Sequence, residues 1–233
     1  MRKIGKWLYD ELLAGRSWFD WAFLTLGLIC QLIAYFHSAR QPIELIAGLF
    51  GIISVYLCAQ GKISMFLFGI INILTYAVVS YRQQLYGEVA INLFYFSAQL
   101  YGIWNWRRHY READNQQSGH LVARSLRLSV WLSLIALAIV ASLGTGYYLD
   151  HYTEDSDPYF DAFTTWPAFI AEILMVMGFR QQWYLWFLID IGCIWMWLRA
   201  GNWPMATLKM FWCINCIYGY IQWSKNASKI NGK

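Results

Sequence analysis

The chain has 233 residues, of which 58% are hydrophobic, 19% aromatic and only 14% charged. Because soluble domains carry roughly 25% charged residues, this composition excludes an ordinary soluble domain and indicates an integral membrane protein. The net charge of +4 lies mostly between the apolar runs, which indicates membrane orientation and argues against a nucleic-acid-binding surface.

Apolar stretches of about twenty residues predict an all-α membrane protein with eight transmembrane spans. The spans lie near 19–36, 43–60, 63–81, 86–106, 128–149, 161–178, 181–199 and 202–223. The connectors are short except for 107–127, which is polar and Arg-rich, and 150–160, which is acidic. The first apolar run follows a basic segment and is long enough to be a span, so we expect no cleaved signal peptide.

The Lys and Arg residues predict the orientation of these spans. Fourteen of the 18 fall on one side of the predicted membrane and three on the other, while Lys209 lies inside the last span. The positive-inside rule therefore predicts that both termini are cytoplasmic and that 150–160 is external.

An internal repeat relates spans 2–4 to spans 6–8. FSAQLYGIWNW (96–106) aligns with CINCIYGYIQW (213–223), and one residue of slippage upstream pairs Asn72 with Asp190. Because each copy has three spans, span 5 must intervene for parallel repeats, which predicts a 3+1+3 core with span 1 added at the N-terminus. Transporters built from repeats place the substrate site at the repeat interface near the bilayer midplane.

The repeat divides the chain into five predicted parts. These are an N-terminal segment with the extra span (1–42), a first repeat (43–106), a connector with a linker helix and an acidic loop (107–160), a second repeat (161–223) and a cytoplasmic tail (224–233).

Polar side chains form stripes on the spans of the first repeat. Asn72 shares a helix face with Tyr76 in span 3. In span 4, the stripe consists of Glu88, Asn92, Tyr95 and Gln99. The alternative is that the amides only hydrogen-bond across helices as packing contacts, each contributing ~0.6 kcal/mol.

Span 7 carries Trp183, Trp186 and Asp190 on one face. A carboxylate at this depth costs about 2.5–3.5 kcal/mol on insertion scales, so it rarely faces lipid. An aromatic wall beside a buried anion is suited to a small organic cation. Trp212 and Asn215 form a similar stripe in the last span.

Alternative interpretations remain for several of these residues. Trp183 lies close enough to the cytoplasmic end to be an interfacial belt residue, and the other tryptophans expected in the belt or facing lipid are Trp166, Trp195, Trp197 and Trp203. Glu172 and Lys209 either form a structural pair within the membrane or line the substrate path.

Enzyme and cofactor signatures are missing from the sequence. There is no P-loop, G-x-S-x-G or H-E-x-x-H motif, and the four histidines are dispersed. Cys213-x-x-Cys216 lies mid-span without a second ligand pair. We therefore predict a protein that is not an enzyme and uses no metal or cofactor.

Five short motifs lie in order along the two repeats. They are Gly61-Lys62-Ile63-Ser64, Phe68-Gly69-x-x-Asn72, Leu85-Tyr86-Gly87-Glu88-x-x-x-Asn92, Pro158-Tyr159-x-Asp161-Ala162-x-Thr164-Thr165 and Trp183-x-x-Trp186-x-x-x-Asp190. In these motifs the chain resembles the PnuC family of bacterial nicotinamide riboside transporters, and the resemblance covers roughly 45–108 and 158–223.

The resemblance implies a SWEET-like 3+1+3 fold, a homotrimer in the lipid bilayer, and facilitated diffusion of the vitamin. A cytoplasmic kinase would trap the imported vitamin by phosphorylation, without any required contact with the transporter. Trp183 and Trp186 would stack on the pyridinium ring, and Asp190 or Glu88 would balance its charge or accept ribose hydroxyls. The amides Asn72, Asn92, Gln99 and Asn215 would bind the carboxamide and sugar, with Tyr95 and Trp212 completing the pocket.

Two other functions compete with this interpretation. The first is a sister transporter for another vitamin such as thiamine or riboflavin, and thiamine is also an aromatic cation. The second is a membrane enzyme or assembly factor, which predicts a catalytic or metal-binding constellation at one membrane face.

Overall fold

The computed structural model describes residues 9, 11, 16–38, 41–82, 86–114, 121, 123–154, 157–199, 201 and 203–231. These residues form eight α-helices. In chain order the helices are α1 (Trp18–Ser38), α2 (Pro42–Ala59), α3 (Met65–Arg82), α4 (Tyr86–Asp114), α5 (Leu128–Tyr152), α6 (Pro158–Val176), α7 (Gln182–Arg199) and α8 (Trp203–Asn231). The all-α prediction is confirmed.

The helices differ in how apolar they are. Among the described residues, three segments are long and apolar enough to cross a membrane by length and composition alone: Trp18–His37, Pro42–Ala59 and Leu128–Tyr152. The helices of the second repeat contain buried polar side chains such as Glu172, Asp190 and Asn215, which lower their hydropathy although they face the protein interior.

Helices α4 and α8 extend beyond the spans predicted for them. Helix α4 continues into the predicted connector as far as Asp114, and α8 continues into the predicted tail as far as Asn231. The added turns are polar and contain Arg, Lys, Glu and Ala, which favour helix without being apolar. A search for apolar stretches therefore ends before the helix does.

Helices α2–α4 and α6–α8 repeat the same local geometry. Helices α3 and α7 both have 18 residues, and α4 and α8 both have 29. The turns that follow α2 and α6 contain Gly61 at φ 67° and Gly178 at φ 78°, a backbone region that favours glycine.

This geometry corrects the register predicted for the repeat. The same hydrogen bond closes both turns, from Lys62 N to Leu57 O and from Phe179 N to Leu174 O. Helices α3 and α7 begin the same number of residues after those turns, so no slippage occurs. The predicted pairing of Asn72 with Asp190 is wrong by one residue, because the counterpart of Asn72 is Ile189.

The two repeats pack against each other reciprocally. Helix α2 contacts α8, and its counterpart α6 contacts α4. Trp106 Nε1 donates to Met175 O at 3.3 Å, and its counterpart Trp223 Nε1 donates to Cys58 O at 2.9 Å. The ring of Trp106 meets that of Phe66 at right angles, as Trp223 meets Trp183. The last helix of each repeat is thereby anchored to the first helix of the other.

Two further helices lie outside this pair of repeats. Helix α5 packs on α6, and α1 packs on α2 and α8. At the start of α1, Ser17 and Asp20 exchange hydrogen bonds in a capping box, and Tyr218 of α8 donates to Asp20. The arrangement is the predicted 3+1+3 core with one added N-terminal helix.

The described part of the 107–127 connector crosses both repeats. Leu121 N donates to Gly61 O at 3.1 Å, and Arg124 N donates to Gly178 O at 2.8 Å. The Arg124 side chain also donates to Met177 O. The connector therefore binds the equivalent glycine turn of each repeat at the same end of the bundle.

Candidate functional site

A cavity of about 270 Å³ lies between the two repeats. Every residue predicted for the site whose side chain is described lines this cavity. These residues are Asn72, Asn92, Tyr95, Gln99, Trp183, Trp186, Asp190, Trp212 and Asn215. The remaining predicted residue, Glu88, belongs to α4, but its side chain lies outside the described part of the structure.

Helix α4 contributes an amide and an aromatic ring from its buried stripe. Gln99 Nε2 donates to Glu172 Oε1 of α6 at 3.2 Å, whereas Gln99 Oε1 has no hydrogen-bond partner within the described residues. The ring of Tyr95 is inclined at 60° to that of Trp186, with centroids 6.4 Å apart. This wall therefore offers a free acceptor beside two aromatic rings.

Asn72 and Asn215 both donate a hydrogen bond to the backbone of α2. Asn72 Nδ2 donates to Ala47 O at 2.8 Å, and Asn215 Nδ2 donates to Val55 O at 2.9 Å. Both acceptors are in α2, so these donors serve helix packing, as the packing alternative predicted. Asn215 Oδ1 is buried with no partner in the described residues and remains free to accept a hydrogen bond from a ligand.

Trp183 is an interior residue and not part of an interfacial belt. Only 4% of it is exposed, and its indole packs directly on Gly219, where a Cβ atom would come within 2.5 Å of the ring. Its Nε1 donor has no partner in the described residues. Trp186 is half-buried and packs against the cluster that contains Ala168 and Ala171 of α6.

Asp190 is paired with Lys209 of α8. The carboxylate is 1% exposed, and its Oδ1 lies 3.3 Å from Lys209 Nζ. Lys209 Nζ also lies 4.3 Å from the ring centroid of Trp212. The alternative in which Lys209 pairs with Glu172 is therefore wrong, because Lys209 is held by the carboxylate that the sequence left without a partner.

The remaining tryptophans divide between the cavity and the surface. Trp195 and Trp203 are more than half exposed, as the sequence predicted. Trp166 is half-buried and donates to Thr145 Oγ1. Trp197 lines the cavity, which corrects its assignment to the belt. The tertiary packing of α7 turns Trp197 inward, and no apolar pattern in so aromatic a helix distinguishes it from Trp195.

Sequence reasoning missed several polar residues of the cavity, among them Ser54 and Gln182. Ser54 donates to Met65 O at 3.0 Å and joins α2 to α3. Gln182 is fully buried at the start of α7, within the predicted span 181–199. The signal that could have revealed Gln182 is its position immediately before the aromatic stripe of α7.

Several buried polar atoms around the cavity share one property, the lack of a hydrogen-bond partner within the described residues. They are Gln99 Oε1, Trp183 Nε1, Trp212 Nε1 and Asn215 Oδ1. A buried polar atom left unpaired costs about 1–3 kcal/mol, so such a set is typical of a site that binds a polar ligand. The aromatic rings and the free donors and acceptors together fit a compact, polar aromatic molecule.

Known proteins are similar to this chain in sequence. A family model described as "Nicotinamide mononucleotide transporter" matches residues 41–225. The chain is 30% identical to the nicotinamide riboside transporter PnuC of Neisseria mucosa, over 97% of this chain and 89% of that protein. It is also 30% identical to the nicotinamide riboside transporter PnuC of Haemophilus influenzae, over 96% of this chain and 97% of that protein.

A solved structure has the same fold. The crystal structure of the vitamin B3 transporter PnuC superposes with a TM-score of 0.81 at 29% sequence identity. The match covers 96% of this chain and 98% of the solved one.

Proposed function

The chain belongs to the nicotinamide mononucleotide transporter family, and we propose that it imports nicotinamide riboside by facilitated diffusion. It is a multi-pass bacterial membrane transporter and not an enzyme. The proposal chooses the riboside over the mononucleotide, which differs from it by one phosphate group.

The observation that carries this choice is the charge of the cavity. Its described lining has three carboxylates, Asp161, Glu172 and Asp190, but only one basic side chain, Lys209. Lys209 is already paired with Asp190. A phosphate would enter an acidic cavity without a free cation to bind it, whereas the pyridinium ring of the riboside carries the complementary positive charge.

The free groups of the cavity match the rest of the molecule. Trp183 and Trp186 would stack on the pyridinium ring, a cation–π contact worth ~2 kcal/mol when desolvated. Gln99 Oε1 and Asn215 Oδ1 would accept hydrogen bonds from the carboxamide and the ribose hydroxyls. In this proposal the other described site residues line the same cavity, and Glu88 stays a predicted site residue whose side chain is outside the described part.

The proposed mechanism is alternating access around this cavity. The reciprocal packing of α2 with α8 and α4 with α6 supports a rocking motion of one repeat against the other. Net uptake would follow the vitamin gradient, which a cytoplasmic kinase maintains by phosphorylating the product without touching the transporter. We further propose a homotrimer with both termini in the cytoplasm, and the distribution of Lys and Arg supports that orientation.

Flux into proteoliposomes tests the proposal. We expect saturable uptake of labelled nicotinamide riboside, acceleration by unlabelled riboside inside, and no uptake of the mononucleotide. Empty liposomes provide the control. Saturable uptake of thiamine or riboflavin without riboside uptake would assign the protein to a sister vitamin, and accumulation driven by an imposed ion gradient would contradict facilitated diffusion.

A further inference from the structure

The cavity contains a second buried carboxylate, Glu172, beside its aromatic wall. Glu172 is 4% exposed and shares one helix face with Ala168 and Met175, and all three line the cavity. Ala168 also belongs to the cluster on which Trp186 packs. The carboxylate therefore lies one helical turn from the surface that supports the aromatic ring.

The environments of Glu172 and Asp190 differ in one respect. Asp190 has a cation, Lys209, at 3.3 Å. Among the described residues, the hydrogen bond to Glu172 comes from a neutral amide, Gln99 Nε2 at 3.2 Å, and no Lys, Arg or His forms an ion pair with it. Gln99 is itself buried, so water does not screen this pair freely.

A buried carboxylate with no cation is unfavourable in a membrane interior unless a ligand supplies the missing charge. Lys209 is unsuited to that task because Asp190 holds it and the ring of Trp212 covers it. A proton can neutralise the carboxyl group of Glu172 while the cavity is empty, and the remaining source of positive charge is the substrate.

We infer that Glu172, and not Asp190, is the specificity-determining residue that selects the positive charge of the substrate ring. The inference rests on the proposed function, since it names the residue that distinguishes a cationic vitamin from neutral molecules of the same shape. Asp190 then has a separate task, which is to hold Lys209 away from the ring.

This division of tasks defines the preferred ligand class as planar aromatic monocations with hydroxyl groups. Nicotinamide riboside can be compared with its 1,4-dihydro form. The reduced ring is neutral, whereas the ribose and the carboxamide are the same in both molecules. The wild-type protein should bind the cationic form more tightly by about tenfold or more, as expected for a desolvated charge pair.

The test is calorimetric titration of the purified protein with both forms. In Glu172→Gln the preference for the cationic form should fall about tenfold below the wild-type value, which leaves the part due to the cation–π contact with Trp183 and Trp186, and the affinity for the dihydro form should be nearly unchanged. Binding of the dihydro form then shows that the variant is folded. Glu154→Gln removes an exposed carboxylate remote from the cavity and controls for net charge, so it should retain the wild-type preference.

A second comparison separates the two carboxylates. The double variant Asp190→Asn/Lys209→Met removes one charge of each sign and should retain the preference ratio, even if both affinities fall. Loss of the ratio in the double variant, or its retention in Glu172→Gln, would overturn the inference.

Two other outcomes are also decisive. If Glu172→Gln binds neither form, Glu172→Asp decides the question, since it retains the charge and should retain the preference, and loss of the preference there would contradict the inference. Wild-type protein that does not bind the riboside would contradict the proposed function instead.

Discussion

Asp190 shows how a carboxylate that is energetically unfavourable inside a membrane is accommodated by an ion pair. Its carboxylate lies in an aromatic helix, and its cation comes from Lys209, in the next helix along the chain. The face and depth of Asp190 follow from the spacing of residues in α7. Its partner does not, because Lys209 and Glu172 are both charges within apolar spans and only the helix packing decides which of them meet.

Breaking this pair should destabilise the protein. Asp190→Asn leaves Lys209 buried without its counter-ion, and we expect a loss of about 3–5 kcal/mol in the free energy of unfolding. The double variant Asp190→Leu/Lys209→Met removes both charges and should recover most of that loss. Unfolding followed in detergent measures both effects, and an unchanged stability of Asp190→Asn would show that the pair contributes nothing.

Trp186 provides a residue-scale test of the aromatic wall. Trp186→Ala removes one stacking surface, so the affinity for nicotinamide riboside should fall roughly 30-fold, equivalent to ~2 kcal/mol. Trp195→Ala is the matched control, since Trp195 lies on the same helix but is 51% exposed, and it should bind normally. Calorimetric titration measures both variants. Equal affinities would place the ring elsewhere in the cavity.

At the scale of helices, glycines decide how closely α7 and α8 approach. Gly219 allows the Trp183 indole to lie against the backbone of α8, and Gly102 does the same for Phe66 against α4. The aligned Tyr-Gly pairs predicted this equivalence from sequence. The one-residue error in the upstream register arose because similar polar residues, Asn72 and Asp190, were matched without regard to the turns.

A methyl group at Gly219 should disturb the site through Trp183. Its Cβ would come 2.5 Å from the indole, so Gly219→Ala should displace the ring, destabilise the protein by about 1–3 kcal/mol and weaken vitamin binding. Gly144→Ala in α5 is the control, because among the described residues nothing beyond the adjacent backbone of α5 comes within 4 Å of that Cβ, and it should be neutral or slightly stabilising. Thermal unfolding and titration on both variants measure the difference.

For the whole molecule, the connector and the two repeats form one unit. Leu121 and Arg124 bind the equivalent turns at Gly61 and Gly178, so the connector joins the same end of both repeats. Many basic residues lie at this end, and the positive-inside rule makes it the cytoplasmic end. The orientation is a prediction of the charge distribution.

Reporter fusions test that orientation. Green fluorescent protein fused after residue 233 should fluoresce, since it folds in the cytoplasm, whereas alkaline phosphatase fused after Glu154 should be active, since it requires the external side. Exchanging the two reporters between these positions is the control and should silence both. Phosphatase activity at the C-terminal fusion would contradict the predicted topology.

The sequence by itself determined the helices, the repeat and the polar faces that line the cavity. These properties are local, because helix periodicity places Asn92, Gln99 and Trp186 on one side of their own helices and apolar length sets their depth. Tertiary structure alone decided that Lys209 pairs with Asp190, that Trp183 is buried on Gly219 and that Trp197 faces inward. Those outcomes depend on which helices are neighbours and on how each helix is rotated about its axis. The spacing of residues within a single helix determines neither of these.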